Sequence, residues 1–162
     1  MRSVLTVLAV LVVVCAAAPA NGREVAETLA EALGLQTYSI VAEKSVDRAL
    51  LDGRDVVLVG APRDPEWLRG QPPALTLGPQ GFAIDAVGPS SGEDTFFGVF
   101  AHPRTPERVL ALLLPLAPEH AERVAAKITH YGRYSYLVFQ ADRNRARGTW
   151  PVESSPVTVR IP

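Results

Sequence analysis

The chain has 162 residues, 16 Lys+Arg against 17 Asp+Glu, 48% hydrophobic residues and a single cysteine. That length suits one hydrophobic core rather than two, and the near balance of charge excludes a dedicated nucleic-acid binder, which carries a basic excess. One cysteine excludes an internal disulfide framework and a cysteine-rich metal centre.

Met1-Arg2-Ser3 precedes an apolar run from Val4 to Val14, broken only by Thr6, and Ala18-Pro19-Ala20 follows. A short basic start, an apolar stretch of about eleven residues and small residues at A-x-A spacing predict a secretory signal over residues 1–20. The run falls short of the roughly twenty apolar residues that span a bilayer. Counted through Ala18, it leaves an uncleaved anchor open. Cys15 adds a lipid anchor as an alternative, although branched Val14 stands where such signals carry a small residue. Cleavage takes away Arg2 and Cys15 and moves the net charge from −1 to −2. The expectation is a secreted or periplasmic protein with one domain over residues 23–162 and no transmembrane span.

Residues 24–33 place Val25, Leu29, Ala32 and Leu33 on one helical face, with Glu24, Glu27 and Glu31 opposite and Gly34 as the stop. Gln36 to Val41 is β-prone, and Ser45 is placed to cap a second helix through about Leu51. Asp55 to Gly60 holds an unbroken Val-Val-Leu-Val, the pattern of a strand buried on both faces of a parallel sheet. Leu75–Leu77, Phe82–Val87 and Thr95–Ala101 read as strands inside a proline- and glycine-rich middle. Arg108 to Leu114 reads as an interior strand, with a helix as the other option. Pro118 opens a helix carrying Ala121, Val124, Ala125 and Ile128 on one face. Tyr134 to Phe139 returns to β character, and a last small strand is expected at Val157–Val159 after a turn at Ser154-Ser155-Pro156. The alternation of helix and strand predicts an α/β fold: a small doubly wound, mostly parallel sheet of the flavodoxin or Rossmann type, with possible antiparallel edge strands.

Gly88-Pro89-Ser90-Ser91-Gly92 matches G-x-S-x-G, the nucleophile-elbow pattern, and Asp94 and His102 follow in the order a hydrolase needs. A β-prone segment rather than a helix comes next, however, which also fits a plain surface turn. The three histidines, His102, His120 and His130, lack metal-site spacing, and His120 is expected to be solvated. No phosphate-binding glycine motif is present, so no metal and no cofactor is expected. Arg143, Arg145 and Arg147 form the clearest charge feature. Residues 123–160 hold seven Lys/Arg against two acids, whereas 23–53 hold three against six. A patch for an anionic partner and a solvated hairpin loop both fit that cluster.

His102-Pro103-Arg104-Thr105-Pro106 leads into the second aliphatic run, and His130-Tyr131-Gly132-Arg133 into Tyr134-Ser135-Tyr136-Leu137-Val138-Phe139. With Val57–Gly60, Gly148-Thr149-Trp150 and Ser155-Pro156, these resemble a non-catalytic α/β domain at the C-terminal end of secreted bacterial peptidases of the aminopeptidase N type. The resemblance covers about residues 55–156. The metallopeptidase H-E-x-x-H is missing, so the family's zinc site has no counterpart in this chain. It implies a stand-alone accessory module of the bacterial envelope; the expected partner is another envelope protein, a peptidase, a peptide or a cell-surface polymer, and the charge balance argues against nucleic acid. The candidate contact residues are His102, His130, Tyr131 and Arg133 at strand ends, with Arg143, Arg145, Arg147 and Trp150 as an outer surface. The alternative is a small hydrolase using Ser90 or a histidine of the same loops.

Overall fold

Alternate residues along each apolar run face opposite ways, and that alternation builds two cores on the two faces of one sheet. The computed structural model describes residues 9–151. The elements are Val10–Val14 (β1), Gly22–Ala32 (α1), Tyr38–Ala42 (β2), Arg48–Leu51 (α2), Val56–Val59 (β3), Leu75–Gly78 (β4), Gly81–Ile84 (β5), Gly88–Pro89 (β6), Asp94–Ala101 (β7), Val109–Pro115 (β8), Ala121–Lys127 (α3), Tyr136–Gln140 (β9) and Arg143–Gly148 (β10). Seven strands form a mixed sheet in the order β10-β9-β7-β8-β3-β1-β2, and β4-β5-β6 form a second, antiparallel sheet. The expected strand at Val157–Val159 lies outside the described residues.

The doubly wound, mostly parallel α/β fold is overturned. Only β2, β1, β3 and β8 run parallel; β7, β9 and β10 are joined by antiparallel pairings. A quarter of the structure is helical, and the molecule is mostly β. A doubly wound sheet needs helices on both faces. Here α1 and α3 share one face: Val25, Leu29, Val124 and Ala125 pack on Val12, Val57, Val59, Leu113, Leu137 and Phe139. The other face is covered chiefly by the small sheet, with Leu75, Phe82 and Ile84 packed on Val13, Leu58, Phe96, Leu112 and Val138, joined by Leu50 and Leu51 of the short α2 and by Trp67. The chain between β3 and β8 supplies most of that second cover. Its proline- and glycine-rich sequence forms short strands where a crossover helix would be needed.

Individual elements follow their sequence signals more closely. β3 is buried along its whole length between parallel neighbours, and Arg108–Leu114 resolves as strand β8. α1 buries Val25, Ala26, Leu29 and Ala30, and Gly34 follows it with φ +68°, a left-handed position that glycine takes without strain. The second helix is shorter than expected, and Asp47, not Ser45, caps it by accepting the Leu50 N–H at 2.9 Å.

The apolar run assigned to a secretory signal supplies β1. Leu11, Val12 and Val13 are at most 1% exposed, and β1 lies between β2 and β3 with parallel pairing to both. The sheet therefore begins before residue 23. Cleavage after Ala20 would remove β1, the strand that β2 pairs with among the described residues. The loop after β1 is also locked in place: at Gly60 (φ +89°) a Cβ would lie 2.7 Å from the Ala18 backbone.

Candidate functional site

In open α/β sheets ligands collect outside the carboxyl ends of parallel strands. Here the backbone donors at that position are taken up by the protein's own carboxylate. Glu43 follows β2 directly; its Oε2 accepts the Ala16 N–H at 3.2 Å, after β1. Its Oε1 accepts the Arg63 N–H at 2.6 Å and the Asp64 N–H at 3.5 Å, after β3. One side chain thus bridges the ends of three neighbouring strands and takes up the donors that an anionic ligand would use. Cys15, at the end of β1, is 3% exposed. Burial, helped by the Glu43 charge and opposed by a backbone contact at Val59, pushes its thiol up to about 12. That is a packed, protonated thiol and not a nucleophile.

The three residues that follow hydrolase order are each engaged elsewhere. Ser90 Oγ accepts the Phe82 N–H at 2.9 Å and pins β5 to the G-P-S-S-G turn. Asp94 is fully buried, accepts the Ser91 N–H at 2.8 Å and pairs with Arg145 at 2.8 Å. His102 is 2% exposed, and its Nδ1 accepts the N–H groups of Arg104 at 3.2 Å and Thr105 at 3.0 Å. That geometry needs an unprotonated Nδ1. Burial, with the Arg104 charge, holds the His102 pKa below its ordinary value, against the opposing pull of Asp52 and Asp55. Its Nε2 is buried without a partner. His102 lines a groove of about 720 Å³ together with Glu43, Arg63 and Trp67.

The other nominated residues gather at a separate place. His130, Tyr131, Arg143, Arg145 and Arg147 line a shallow depression of about 1070 Å³ that shares no residue with the His102 groove. The two histidine loops are therefore not one surface. The three arginines belong to the edge strand β10 rather than to a loop. Arg147 lies over the Tyr134 ring at 5.3 Å, and Arg133 is exposed. Trp150 turns inward: its ring stacks near Tyr136 and Phe96, with centroids 4.6 and 6.3 Å away, and its indole N–H donates to the Val99 carbonyl at 2.9 Å. His120, expected in solvent, is half-buried with an unpartnered Nδ1.

Among the described residues, no three His, Cys, Asp or Glu side chains cluster as metal ligands. None of the described helices is long and apolar enough to cross a membrane. Sequence reasoning missed Glu43 and the Asp94–Arg145 pair. A carboxylate just beyond a β-prone run was the available signal for the first; the second joins residues far apart in the chain and left none. No family model matches the chain, and no curated protein matches it.

Proposed function

We propose that this protein is a non-catalytic accessory domain that acts by binding another protein, with a peptidase or other envelope protein of a bacterium as the partner. The observation that carries this reading is the employment of Ser90, Asp94 and His102 as backbone clamps. A nucleophile needs a base within hydrogen-bond reach; the Ser90 Oγ accepts from the Phe82 N–H, and the His102 Nδ1 accepts from the Arg104 and Thr105 N–H groups. The Glu43 clasp supports the same reading, since it already takes up the strand-end N–H donors that an anionic substrate would use. The resemblance of residues 55–156 to accessory domains of secreted peptidases supports the partner class and a place outside the cytoplasm.

Export belongs to this proposal only in a form that leaves β1 in the sheet. N-terminal sequencing of the protein recovered from its host decides that point: a start at or before Val10 keeps the fold, and a start at Asn21 removes its inner strand. Catalysis is tested with a panel of fluorogenic ester and amide substrates. Wild type and Ser90→Ala are expected to give the same background rate. Turnover that disappears in Ser90→Ala would replace this reading with the hydrolase.

A further inference from the structure

We infer that the depression along β10 docks an acidic, extended segment of a partner protein. The inference rests on the binding-domain reading above and names the surface and the chemistry of its occupant.

Charge comes first. The lining carries Lys127, Arg143, Arg145 and Arg147 against a single acid, Asp142, in a protein whose total charge is −1. Asp142 is already engaged by Lys127, whose ammonium reaches the Asp142 carbonyl at 2.6 Å and its carboxylate at 3.4 Å. Arg145 is tied to Asp94. Among the described residues, Arg143 and Arg147 have no carboxylate partner, and both are exposed. A ligand that supplies carboxylates completes this set; one that brings cations is repelled.

Shape favours an extended chain as the occupant. The depression follows an edge strand of six residues, roughly 20 Å of extended chain. Lys127, His130 and Tyr131 border it, as do Ala86 and Val87 from the turn between β5 and β6. A shallow depression that runs along a strand of this length accommodates an extended chain laid beside it. The pairing of β9 with β10 shifts register between Asn144 and Ala146, and the Asn144 amide donates to the Val138 and Ala146 carbonyls there. This bulge interrupts the regular ladder, so recognition falls to the side chains and reads charge.

The experiment uses a fluorescein-labelled peptide of about eight residues, alternating Glu and Thr, sized to the extended rise of a strand, and reads fluorescence anisotropy against the full chain. Binding is expected for the Glu peptide and not for its Gln counterpart. Raising salt from about 0.02 to about 1 M should weaken it about tenfold or more, as for a contact made of exposed charges. The double variant Arg143→Glu with Arg147→Glu should lose about tenfold or more in affinity. Arg143→Gln with Arg147→Gln should lose less while unfolding at the wild-type temperature, which guards against misfolding of the reversed pair. Equal binding of the Gln peptide, or unchanged affinity in both double variants, would overturn the inference. So would capture of the protein by phosphatidylglycerol vesicles or a DNA oligonucleotide with no affinity for the Glu peptide. None of these results depends on Ser90, so failure here and failure of the non-catalytic reading are told apart.

Discussion

The two edges of the main sheet are tied down by carboxylates, and the two ties are unlike. At one edge, β2 is five residues of Tyr-Ser-Ile-Val-Ala in regular register with β1, and Glu43 just after it fastens three strand ends through backbone N–H groups alone. At the other edge, β10 is bulged and basic, and its Arg145 reaches the fully buried Asp94 at the start of β7. An edge strand offers unpaired backbone groups to any passing chain. The β10 edge meets that hazard with charge and a bulge, and so admits partners by sign. The β2 edge has no charge within its strand. The Glu43 tie is made to backbone N–H groups, in a groove where Lys44, Arg63, Arg69 and Arg104 are balanced by Glu43, Asp47, Asp64 and Glu66. The Asp94 tie stands inside a cluster of cations that a ligand can use.

The largest test of this contrast is truncation. A chain starting at Asn21 loses β1 and the Ala16 N–H that Glu43 holds. Val12 and Val13 alone are both fully buried, worth roughly 1.5 kcal/mol or more each, and β2 is left without a strand partner. We expect the truncated protein to show no cooperative thermal transition by circular dichroism, while the full chain does. A truncated chain that melts cooperatively at the wild-type temperature would mean that β1 is dispensable and that the β2 side does not depend on it.

Much of the parallel half is legible in the residues themselves. An unbroken Val-Val-Leu-Val has to be buried on both faces, and β3 is; the stripe of α1 and its Gly34 stop are local features that local rules recover. Hydropathy alone cannot separate an export signal from a strand covered on two faces, and the apolar run read as a signal ends in Val10–Val14. β1 is such a strand. The doubly wound expectation failed for a related reason. Alternation of helix and strand implies parallel pairing only if the middle of the chain supplies crossover helices, and residues 75–89 pair among themselves as a second sheet. The site was less legible still. Three arginines in a row of alternate residues were visible as charge, but their place on an edge strand is a matter of pairing. The separation of the His102 groove from the His130 depression depends on which cover each loop joins.

Substituting the carboxylates measures the two ties directly. Asp94→Asn keeps an acceptor for the Ser91 N–H but leaves Arg145 without its counter-charge. Breaking a buried pair costs about 3–5 kcal/mol, and because the Arg145 side chain is 31% exposed, water recovers part of that; we expect a loss of about 2 kcal/mol. Glu43→Gln retains neutral hydrogen bonds in place of charge-assisted ones and should cost about 1 kcal/mol. Urea denaturation of the two variants reads the difference. If Glu43→Gln is the more damaging, the backbone clasp, and not the ion pair, is the tighter of the two.

The smallest expected effect is one of pH, and it divides the molecule along the same line. His102 has a pKa below 6.5 in the folded protein, so the unfolded chain takes up its proton first. Its contribution to stability is whole above 6.5 and shrinks as the pH falls below that value. Asp142, beside β10, also has its pKa lowered, first by the hydrogen bond from Lys127 and then by that ammonium's charge. Its contribution is present above 3.8 and is lost as the pH falls below it. The acid limb should therefore have two parts, an upper one from His102 and a lower one from the β10 side. His102→Asn supplies another acceptor for the Arg104 and Thr105 N–H groups, as asparagine does in such turns, but cannot titrate. Thermal melts of this variant between about pH 7 and 5, the range in which an ordinary histidine changes charge, should be flatter than wild type, with the part below 3.8 unchanged. A variant that keeps the wild-type slope in the upper range would place that proton on another group and remove His102 from the acid response.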